Sequence, residues 1–297
     1  MIPNRVLITG ASGLLGYTLC SHFSKNHTVT GVCYSHSIGL DNVREIQLDL
    51  ADTEGFLKAT KAIKALRPEI IIHTAGLTSV DQCEANPQQA KLLNVQMTEQ
   101  VTQLAIKIGA KMVHISTDHL FDGILPLVDE ATPVKPINVY ARTKAEAEVV
   151  ALKAEGALII RTNFYGKGRP WRSSFSDWLF ENLVAGKPVN LFCDVFYSPI
   201  AMVHLAELLD ILTEKKATGV FNVASPERIS KYEFGIRLAR KFKLNVDSIH
   251  QVSIDSMSLG APRPRDMSLS VHKLTEFLGF SPPGVQSGIE TLGLVER

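Results

Sequence analysis

A tyrosine and a lysine stand four residues apart, at Tyr140 and Lys144, in a stretch whose residues favour a helix. On a helix this spacing places both side chains on one face. A nearby ammonium group favours the phenolate, which lowers the pKa of the tyrosine and makes it a usable proton donor near neutral pH. The pair therefore predicts general acid chemistry, and the alternative is a Tyr–Lys pair on a solvated helix face.

Three glycines mark the turn Gly10–Gly16, which follows a short apolar run and opens a predicted helix. Gly10 permits a tight turn, Gly13 lets the backbone approach a pyrophosphate, and Gly16 lets the helix pack close to the sheet. The N–H groups and the partial positive charge at a helix start suit phosphate oxygens. The turn predicts a dinucleotide site, although its GxxGxxG spacing departs from GxGxxG. A glycine-rich turn without a ligand is the alternative.

A polar run, STDHLFDG, covers Ser116–Gly123 directly after a predicted strand. In open α/β sheets, ligands bind outside the carboxyl ends of the strands. A hydroxyl at this position, such as that of Thr117, can bind a substrate oxygen. The alternative is a polar turn that Gly123 closes.

These motifs lie between apolar runs that alternate with helical patterns. Strands are predicted at Arg5–Thr9, Thr28–Tyr34, Glu45–Leu50, Glu69–Thr74, Lys111–Ser116, Ala157–Arg161 and Val220–Val223. Helices are predicted at Leu14–Ser24, Phe56–Leu66, Pro87–Ile106, Tyr140–Lys153, Phe175–Val184, Ile200–Thr213 and Lys231–Lys241. Strands that are apolar throughout and alternate with helices indicate a parallel sheet covered on both faces.

This alternation predicts an α/β protein with a Rossmann-type doubly wound parallel sheet and a smaller C-terminal substrate lobe. Residues 1–162 are predicted to form the dinucleotide-binding domain, which residues 195–224 rejoin. Residues 163–194 and 225–297 then form the substrate-binding lobe. Within the returning segment, Phe196–Ala201 is expected to pass the cleft.

Composition excludes several classes of function. Hydrophobic residues make up 45% of the chain, charged residues 21%, and the formal net charge is +1, so no partner nucleic acid or anionic membrane is indicated. The chain shows neither a signal-peptide pattern nor an apolar run of membrane-spanning length. Its four cysteines have no CxxC spacing, so no metal is expected, and Cys20 and Cys33 are interpreted as core thiols. A cytoplasmic location fits these features.

Together the motifs resemble those of the extended short-chain dehydrogenase/reductases and, in finer detail, the dTDP-4-dehydrorhamnose reductase or RmlD-like family. The resemblance covers nearly the whole chain, and STDxxFDG is its most specific part. The other motifs are Thr9–Gly16, Ala75-Gly76, Val80–Glu84, Leu93–Val95, Asn138–Lys144, Arg161-Thr162 and Arg263-Pro264. The regulatory β subunit of methionine adenosyltransferase shares much of this pattern, including Gly260–Arg265.

The resemblance implies a role for each matching residue. Tyr140 would protonate the C4 oxygen of a 4-keto sugar, Lys144 would bind the nicotinamide ribose and tune Tyr140, and Thr117 would help to hold the reacting oxygen. Arg263 would reach the nucleotide phosphates. The cofactor is expected to contact Gly10, Ser12, Gly13, Leu14, Leu15, Tyr34, Ser35, His36, Asp49, Leu50, Ala75, Gly76, Asn94, Tyr140 and Lys144. The substrate is expected to contact Thr78, Val80, Asp118, His119, Asn163 and Arg263.

One position departs from the family pattern. The family usually has a tyrosine after STD, near the substrate, and this chain has His119. The histidine is either a donor that faces the ligand or a packed turn residue, and the identity of the sugar stays open.

The end of the second strand bears on the choice of cofactor. Folds specific for NAD usually place Asp or Glu there for the ribose 2′-hydroxyl, and the stretch Val32–His36 has none. A 2′-phosphate would meet no repulsion, and Ser35 or His36 could donate to it, so NADP(H) is favoured over NAD(H). Asp49, expected at the end of the third strand, resembles the adenine contact of this class, with a strand-end cap as the alternative.

The sequence thus predicts an NADP(H)-preferring reductase of a nucleotide-linked 4-keto-6-deoxy sugar. Three alternatives stay open: a regulatory dinucleotide-binding subunit without catalysis, a nucleotide-sugar epimerase or dehydratase, and an interaction protein that binds no dinucleotide. The intact set of Thr117, Tyr140 and Lys144 argues against the first, although a fold can outlive its chemistry. The expected partners are the nucleotide sugar and, as an open assembly, a homodimer.

Overall fold

The computed structural model describes residues 4–294, so the predicted domain ends at residues 1–3 and 295–297 lie outside it. The strands, in chain order, are β1 (Arg5–Thr9), β2 (Thr28–Cys33), β3 (Arg44–Gln47), β4 (Ile70–His73), β5 (Lys111–Ile115), β6 (Leu158–Arg161), β7 (Phe164–Tyr165), β8 (Val189–Phe192), β9 (Phe196–Tyr197), β10 (Ile200–Ala201), β11 (Gly219–Asn222), β12 (Ile229–Ser230), β13 (Ile249–Val252) and β14 (Asp266–Met267).

Helices connect most of these strands. They are α1 (Leu14–Phe23), α2 (Thr53–Leu66), α3 (Val80–Ala85), α4 (Pro87–Lys91), α5 (Met97–Ile108), α6 (Val139–Ala151), α7 (Phe175–Val184), α8 (Met202–Glu214), α9 (Lys231–Lys241), α10 (His272–Leu278) and α11 (Val285–Glu290), with a π-helical turn at Leu92–Gln96 and 3₁₀ turns at Val246–Ser248 and Ile254–Ser256. Within residues 4–294, none of the helices combines the length and the apolar character needed to cross a bilayer.

A seven-stranded sheet in the order β11-β6-β5-β4-β1-β2-β3 forms the centre of the dinucleotide-type fold. The pairs that join β1 through β6 are parallel. The strand order reverses at β1, which has β2 on one side and β4 on the other. In open α/β sheets this switch point is where ligands bind, outside the carboxyl ends of the strands. The predicted Rossmann-type fold is confirmed.

Helices cover both faces of this sheet. Gly31 of β2 faces α1, because a Cβ at this glycine would lie 3.4 Å from the sulfur of Cys20. The next residue, Val32, belongs to the buried cluster that α2 and α5 form with Leu7 of β1 and Ile71 of β4. Successive strand residues point to opposite faces, and apolar residues on both faces explain why the strands read as continuous apolar runs.

Local capping explains where the helices nearest the motifs begin. The side chain of Asn138 accepts a hydrogen bond from the backbone N–H of Ala141 at 2.8 Å and so starts α6. Ser230 and Glu233 form a reciprocal capping box that starts α9. Gly109 adopts a left-handed φ of 69° and ends α5.

Three predicted elements differ from the structure. The single helix predicted at Pro87–Ile106 is three segments, because the π-helical turn inserts an extra residue between α4 and α5. The helix predicted at Ile200–Thr213 begins only at Met202. Its first two predicted residues form β10, in which Ile200 pairs with Phe164. The third strand ends at Gln47 rather than Leu50.

The chain divides into two compact units. Unit 1 contains Met1–Ser116, Asn138–Ile160 and Leu209–Phe221, and unit 2 contains Thr117–Ile137, Arg161–Leu208 and Asn222–Arg297. Unit 2 has its own buried core, in which Leu179 of α7 and Phe234 of α9 pack with Val189 of β8. The assignment of substrate binding to residues 163–194 and 225–297 stays a prediction.

Replacing Gly16 tests the packing at the start of α1. A Cβ at Gly16 would lie 2.1 Å from the carbonyl oxygen of Gly10. The backbone of the turn would have to shift to make room for it. We expect Gly16→Ala to lower the free energy of unfolding by about 1–3 kcal/mol, as overpacking does. Urea denaturation measures it, with Gly293→Ala as the control, because a Cβ at Gly293 meets nothing within 4 Å. Equal midpoints for both variants would contradict this packing.

Candidate active site

The glycine turn after β1 leaves the N-terminus of α1 without a side-chain cap. Gly10 has a φ of 65°, and a Cβ there would lie 2.8 Å from the Thr74 hydroxyl and 2.9 Å from the Ala75 Cα. Gly13 is the N-cap of α1 and has no side chain that could cap the first turn, and its N–H donates to the Gly10 carbonyl at 2.9 Å. Backbone N–H groups left without a side-chain cap at a helix start fit the pyrophosphate of a dinucleotide.

The loop after β4 is fixed by Asn94, which lies in the π-helical turn. Its amide oxygen accepts from the Leu77 N–H at 2.7 Å. Its amide nitrogen donates to the Leu77 carbonyl at 3.1 Å and to the Thr143 hydroxyl of α6 at 3.0 Å. A Cβ at Gly76 would lie 2.9 Å from the Asn94 oxygen, so this close approach requires glycine. Asn94 thus joins the loop at residues 75–77 to the helix that carries Tyr140 and Lys144.

Tyr140 and Lys144 are both buried on α6, each 7% exposed, so they do not form a solvated surface pair. The Lys144 ammonium donates to the Ile115 carbonyl at 2.7 Å and to His114 Nε2 at 3.1 Å. Burial lowers the pKa of Lys144 to about 8, and the carboxylate of Glu148 opposes the shift. The ammonium is therefore held in one orientation, one helical turn from the tyrosine.

The substrate residues predicted in unit 1 lie near the start of α3. Val80 is the first residue of that helix and packs against a buried cluster that includes Cys83, Val139 and Tyr140. Thr78 is exposed in the preceding loop. Val80 is thus placed beside Tyr140, whereas Thr78 is at the surface of unit 1.

The predicted adenosine contacts lie at the ends of β2 and β3. Tyr34 is 64% exposed, and the Ser35 hydroxyl lies 3.0 Å from His36 Nδ1. Asp49 is exposed and accepts from the Ala51 N–H at 2.8 Å, so in this structure it caps the turn after β3. Leu50 is buried in the core beside α2.

A carboxylate that was not predicted from the sequence lies near the end of β2. It belongs to Glu45, which is on the neighbouring strand β3. Its oxygens accept from the Ser37 hydroxyl at 2.9 Å and the Ile38 N–H at 2.8 Å. The hydrogen bond from Ile38 lowers the pKa of Glu45, so the charged form holds the loop after β2. Only the register between β2 and β3, which pairs Gly31 with Glu45, brings this residue here.

In unit 2, Thr117, Asp118 and His119 of the STDH motif form a polar cluster. Asp118 is 1% exposed, and its carboxylate accepts from the Asn163 amide at 2.7 Å and from the Thr117 hydroxyl at 3.2 Å. The His119 N–H donates to the same hydroxyl at 3.2 Å. Burial lowers the pKa of His119, with Lys231 contributing to the shift, so the imidazole is neutral near pH 7. The structure therefore places three predicted substrate residues around Thr117.

Two residues of unit 2 that the sequence analysis did not select join this cluster. The Lys231 ammonium lies 3.3 Å from the centre of the Tyr197 ring, and burial lowers its pKa to about 8 while Asp118 opposes the shift. The Tyr197 hydroxyl is buried and has no hydrogen-bond partner among residues 4–294. Arg263 lies near enough to contribute to the lowered pKa of His119. A lysine at the first residue of a helix opposes the helix dipole, and that signal was readable in the sequence.

The RmlD substrate binding domain model matches residues 4–293 of the chain. The chain belongs to this family. The RmlD-family chain is 33% identical over 285 residues to methionine adenosyltransferase 2 subunit beta from Xenopus laevis, a match that covers 92% of this chain and 82% of that protein.

Solved structures of other proteins share the fold. A hypothetical dTDP-4-dehydrorhamnose reductase from Sulfolobus tokodaii is 33% identical, with a TM-score of 0.83 and coverage of 96% of this chain and 98% of that one. The dTDP-4-dehydrorhamnose reductase from Bacillus anthracis, solved in complex with NADP, is 25% identical, with a TM-score of 0.83 and coverage of 97% and 98%. The predicted family is confirmed.

The buried Lys144 of this RmlD-family chain predicts a pH dependence of stability. The unfolded chain keeps the lysine protonated up to its ordinary pKa of 10.5, whereas the folded chain releases that proton at about 8. Between these values the unfolded state binds more protons, so the free energy of unfolding contributed by Lys144 rises with pH. We expect Lys144→Met to remove a rise of about 3 kcal/mol across this window without lowering stability at pH 7.

Urea denaturation at several pH values measures this effect. Lys61→Met is the matched control, because Lys61 is exposed on α2 and its replacement should leave the pH dependence of the wild type intact. An undiminished rise in Lys144→Met would show that the lysine is not held as a buried ammonium.

Proposed function

We propose that this protein is an NADP(H)-preferring reductase that acts on a nucleotide-linked 4-keto-6-deoxy sugar. The buried pair of Tyr140 and Lys144, on the helix that Asn94 joins to the loop at residues 75–77, is the observation that carries the proposal. Burial of an ammonium group is unfavourable because its charge loses solvation. A Tyr–Lys pair without a function would therefore be expected on the solvated face of the helix. The solved dTDP-4-dehydrorhamnose reductase structures support the same class of reaction.

The cofactor, when bound, supplies the hydride that reduces the carbonyl carbon. Tyr140 gives its phenolic proton to the carbonyl oxygen, which would otherwise become an alkoxide. Lys144 stabilises the phenolate that remains and binds a ribose hydroxyl. The glycine turn at Gly10–Gly16 holds the pyrophosphate through its backbone N–H groups. Asn94 and the loop at residues 75–77 keep these groups in register.

The unit 2 cluster would bind the sugar nucleotide. The Thr117 hydroxyl, which donates to Asp118 and accepts from the His119 N–H, would turn its proton to the reacting carbonyl oxygen. The Asp118 carboxylate would accept hydrogen bonds from sugar hydroxyls, which would weaken the hydrogen bond that it accepts from the Asn163 amide. His119, neutral near pH 7, has one donor and one acceptor nitrogen to offer to sugar hydroxyls. The Arg263 guanidinium offers the bidentate geometry that phosphate oxygens favour.

The preference for NADP(H) rests on the segment after β2. Ser35 and His36 supply donors for a 2′-phosphate, and the stretch Val32–His36 carries no carboxylate. The nearby Glu45 carboxylate is oriented by the Ser37 hydroxyl and the Ile38 N–H but keeps its charge, which opposes this preference. NAD(H) is the second choice. A cytoplasmic location and a homodimer are further parts of the proposal.

A regulatory role is the second candidate function. It is favoured by the similarity to methionine adenosyltransferase 2 subunit beta, which covers most of both chains. A regulatory subunit predicts no turnover of any keto sugar, and its effect on a partner enzyme would not depend on the Tyr140 hydroxyl. An epimerase or dehydratase would instead retain NAD through purification.

The test is an assay of NADPH and NADH oxidation with dTDP-, UDP- and GDP-linked 4-keto-6-deoxy sugars. On the best substrate, we expect Tyr140→Phe to lower kcat by about 10²–10⁴-fold, because the variant keeps the ring and loses only the proton donor. NADPH affinity, measured by calorimetry, should not change. Tyr232→Phe, in a half-buried tyrosine of α9, is the control and should turn over normally.

Two results would contradict the proposal. Absence of turnover with every sugar, together with tight dinucleotide binding, would favour the regulatory role. Full turnover by Tyr140→Phe would assign the proton to another donor, and His119 would be the first residue to replace.

A further inference from the structure

Two histidines lie inside the sheet of unit 1, on neighbouring strands, and the proposed reaction uses neither of them. His73 is on β4 and His114 on β5, with 0% and 1% of their surfaces exposed. Their ring centres are 5.6 Å apart. Histidine is a costly choice for a core position, since both ring nitrogens need hydrogen-bond partners.

His73 satisfies both of its nitrogens within the fold. The Thr9 hydroxyl lies 2.7 Å from His73 Nδ1, and the Thr98 hydroxyl lies 3.1 Å from Nε2. The Thr98 proton is donated to the Asn94 carbonyl at 2.7 Å, so the Thr98 oxygen accepts from Nε2–H of the histidine. His73 is therefore a neutral residue with a structural role.

His114 is paired differently. Its Nε2 lies 3.1 Å from the Lys144 ammonium. An ammonium group only donates, so Nε2 is the acceptor and the ring proton is on Nδ1. That Nδ1 is buried and has no hydrogen-bond partner among residues 4–294. Burial and the neighbouring charge of Lys144 lower the pKa of His114 well below its ordinary value, which keeps the ring neutral.

This pairing does not serve the stability of the core. A buried N–H without a partner is unfavourable, and an apolar ring of the same shape would avoid it. Among residues 4–294, the hydrogen-bond partner of the His114 ring is the Lys144 ammonium, whose charged form is favoured by a hydrogen-bond acceptor.

The geometry of Lys144 shows what the acceptor achieves. Of its three N–H bonds, one is directed at the Ile115 carbonyl at 2.7 Å and one at His114. Two fixed acceptors define the direction of the third N–H bond. We propose that His114 is a positioning residue, which orients the Lys144 ammonium so that its remaining N–H is presented to the ribose of the dinucleotide. The identity of that ligand rests on the proposed function.

Other charged groups around Lys144 must be considered in any pH measurement. Burial lowers the pKa of His73 on β4 to about 3, and the nearby charge of Lys144 contributes to the shift. On α6 itself, Glu148 opposes the lowering of the Lys144 pKa, and Tyr140 lies one turn away. At the start of the helix, the Glu84 carboxylate of α3 accepts from the Val139 N–H at 2.8 Å. These groups are unchanged by substitutions at position 114.

The test compares His114→Phe, which removes the acceptor, with His114→Gln, whose amide oxygen can accept from the ammonium. The NADPH dissociation constant is measured by fluorescence from pH 6 to 10. We expect His114→Phe to weaken binding about tenfold at pH 7 and to move the alkaline loss of binding to lower pH by about one unit. His114→Gln should stay close to the wild type. Thermal stability is measured alongside, because loss of an acceptor for the buried ammonium destabilises the fold while loss of the unpaired Nδ1–H stabilises it.

His73→Phe is the matched control, a second buried histidine with no bond to Lys144. It should lower the melting temperature, since two hydrogen bonds are lost, and leave the pH dependence of NADPH binding unchanged. Equal pH profiles for the wild type and His114→Phe would overturn the proposal.

NMR of the wild-type protein keeps the inference testable without any variant or cofactor. The ring nitrogens of His114 should show the Nδ1–H tautomer with no titration between pH 5 and 9, and the side-chain ¹³Cε signal of Lys144 should titrate near pH 8. An Nε2–H tautomer, or a ring that titrates in this range, would overturn it. If the wild type fails to bind NADPH, the proposed function fails, and these spectra still decide how His114 and Lys144 are paired.

Discussion

Burying an ammonium group is unfavourable unless fixed acceptors surround it. In unit 1 those acceptors are the Ile115 carbonyl, at the last residue of β5, and the imidazole of His114 beside it. The end of β5 and the first turns of α6 must therefore keep one relative position. The Asn138 cap starts α6 at the residue that brings Lys144 to this strand end.

The glycine turn after β1 and the loop after β4 both depend on backbone atoms that approach neighbouring residues closely. Gly10 lies against Thr74 and Ala75, and Gly76 lies against Asn94, in both cases closer than a Cβ allows. Asn94 then reaches Thr143 of α6, so the strand ends on both sides of the switch point are joined to the helix that holds Lys144. A dinucleotide that binds at the switch point would meet phosphate donors and the ammonium on one connected frame.

Continuous apolar runs and glycine spacing are local signals in the sequence. They were sufficient to predict the parallel sheet with its buried strands and the strand–turn–helix of residues 5–23. It did not reveal the π-helical turn at Leu92–Gln96, whose residues have ordinary helical propensity. That turn is seen only in the backbone of the structure, where the Met97 N–H donates to the Leu92 carbonyl five residues earlier. The strand at Ile200–Ala201 was missed for a similar reason, since its pairing with β7 is a tertiary contact.

The residues of the candidate site were predictable where they form a contiguous motif. Residues that reach the site through strand pairing or helix packing were not predictable. Glu45 reaches the end of β2 through sheet register, and His114 reaches Lys144 through packing of α6 on β5. Lys231 was readable in the sequence as a lysine at a helix start, but its position over Tyr197 required the structure.

The most direct test of this account is a crystal structure of the protein with NADPH. We expect the pyrophosphate to accept hydrogen bonds from backbone N–H groups of the turn at Gly10–Gly16. A ribose hydroxyl should lie within hydrogen-bonding distance of Lys144 Nζ, with that ammonium still bonded to Ile115 and His114. A dinucleotide bound away from the turn, or a Lys144 side chain that leaves its two acceptors, would contradict the account.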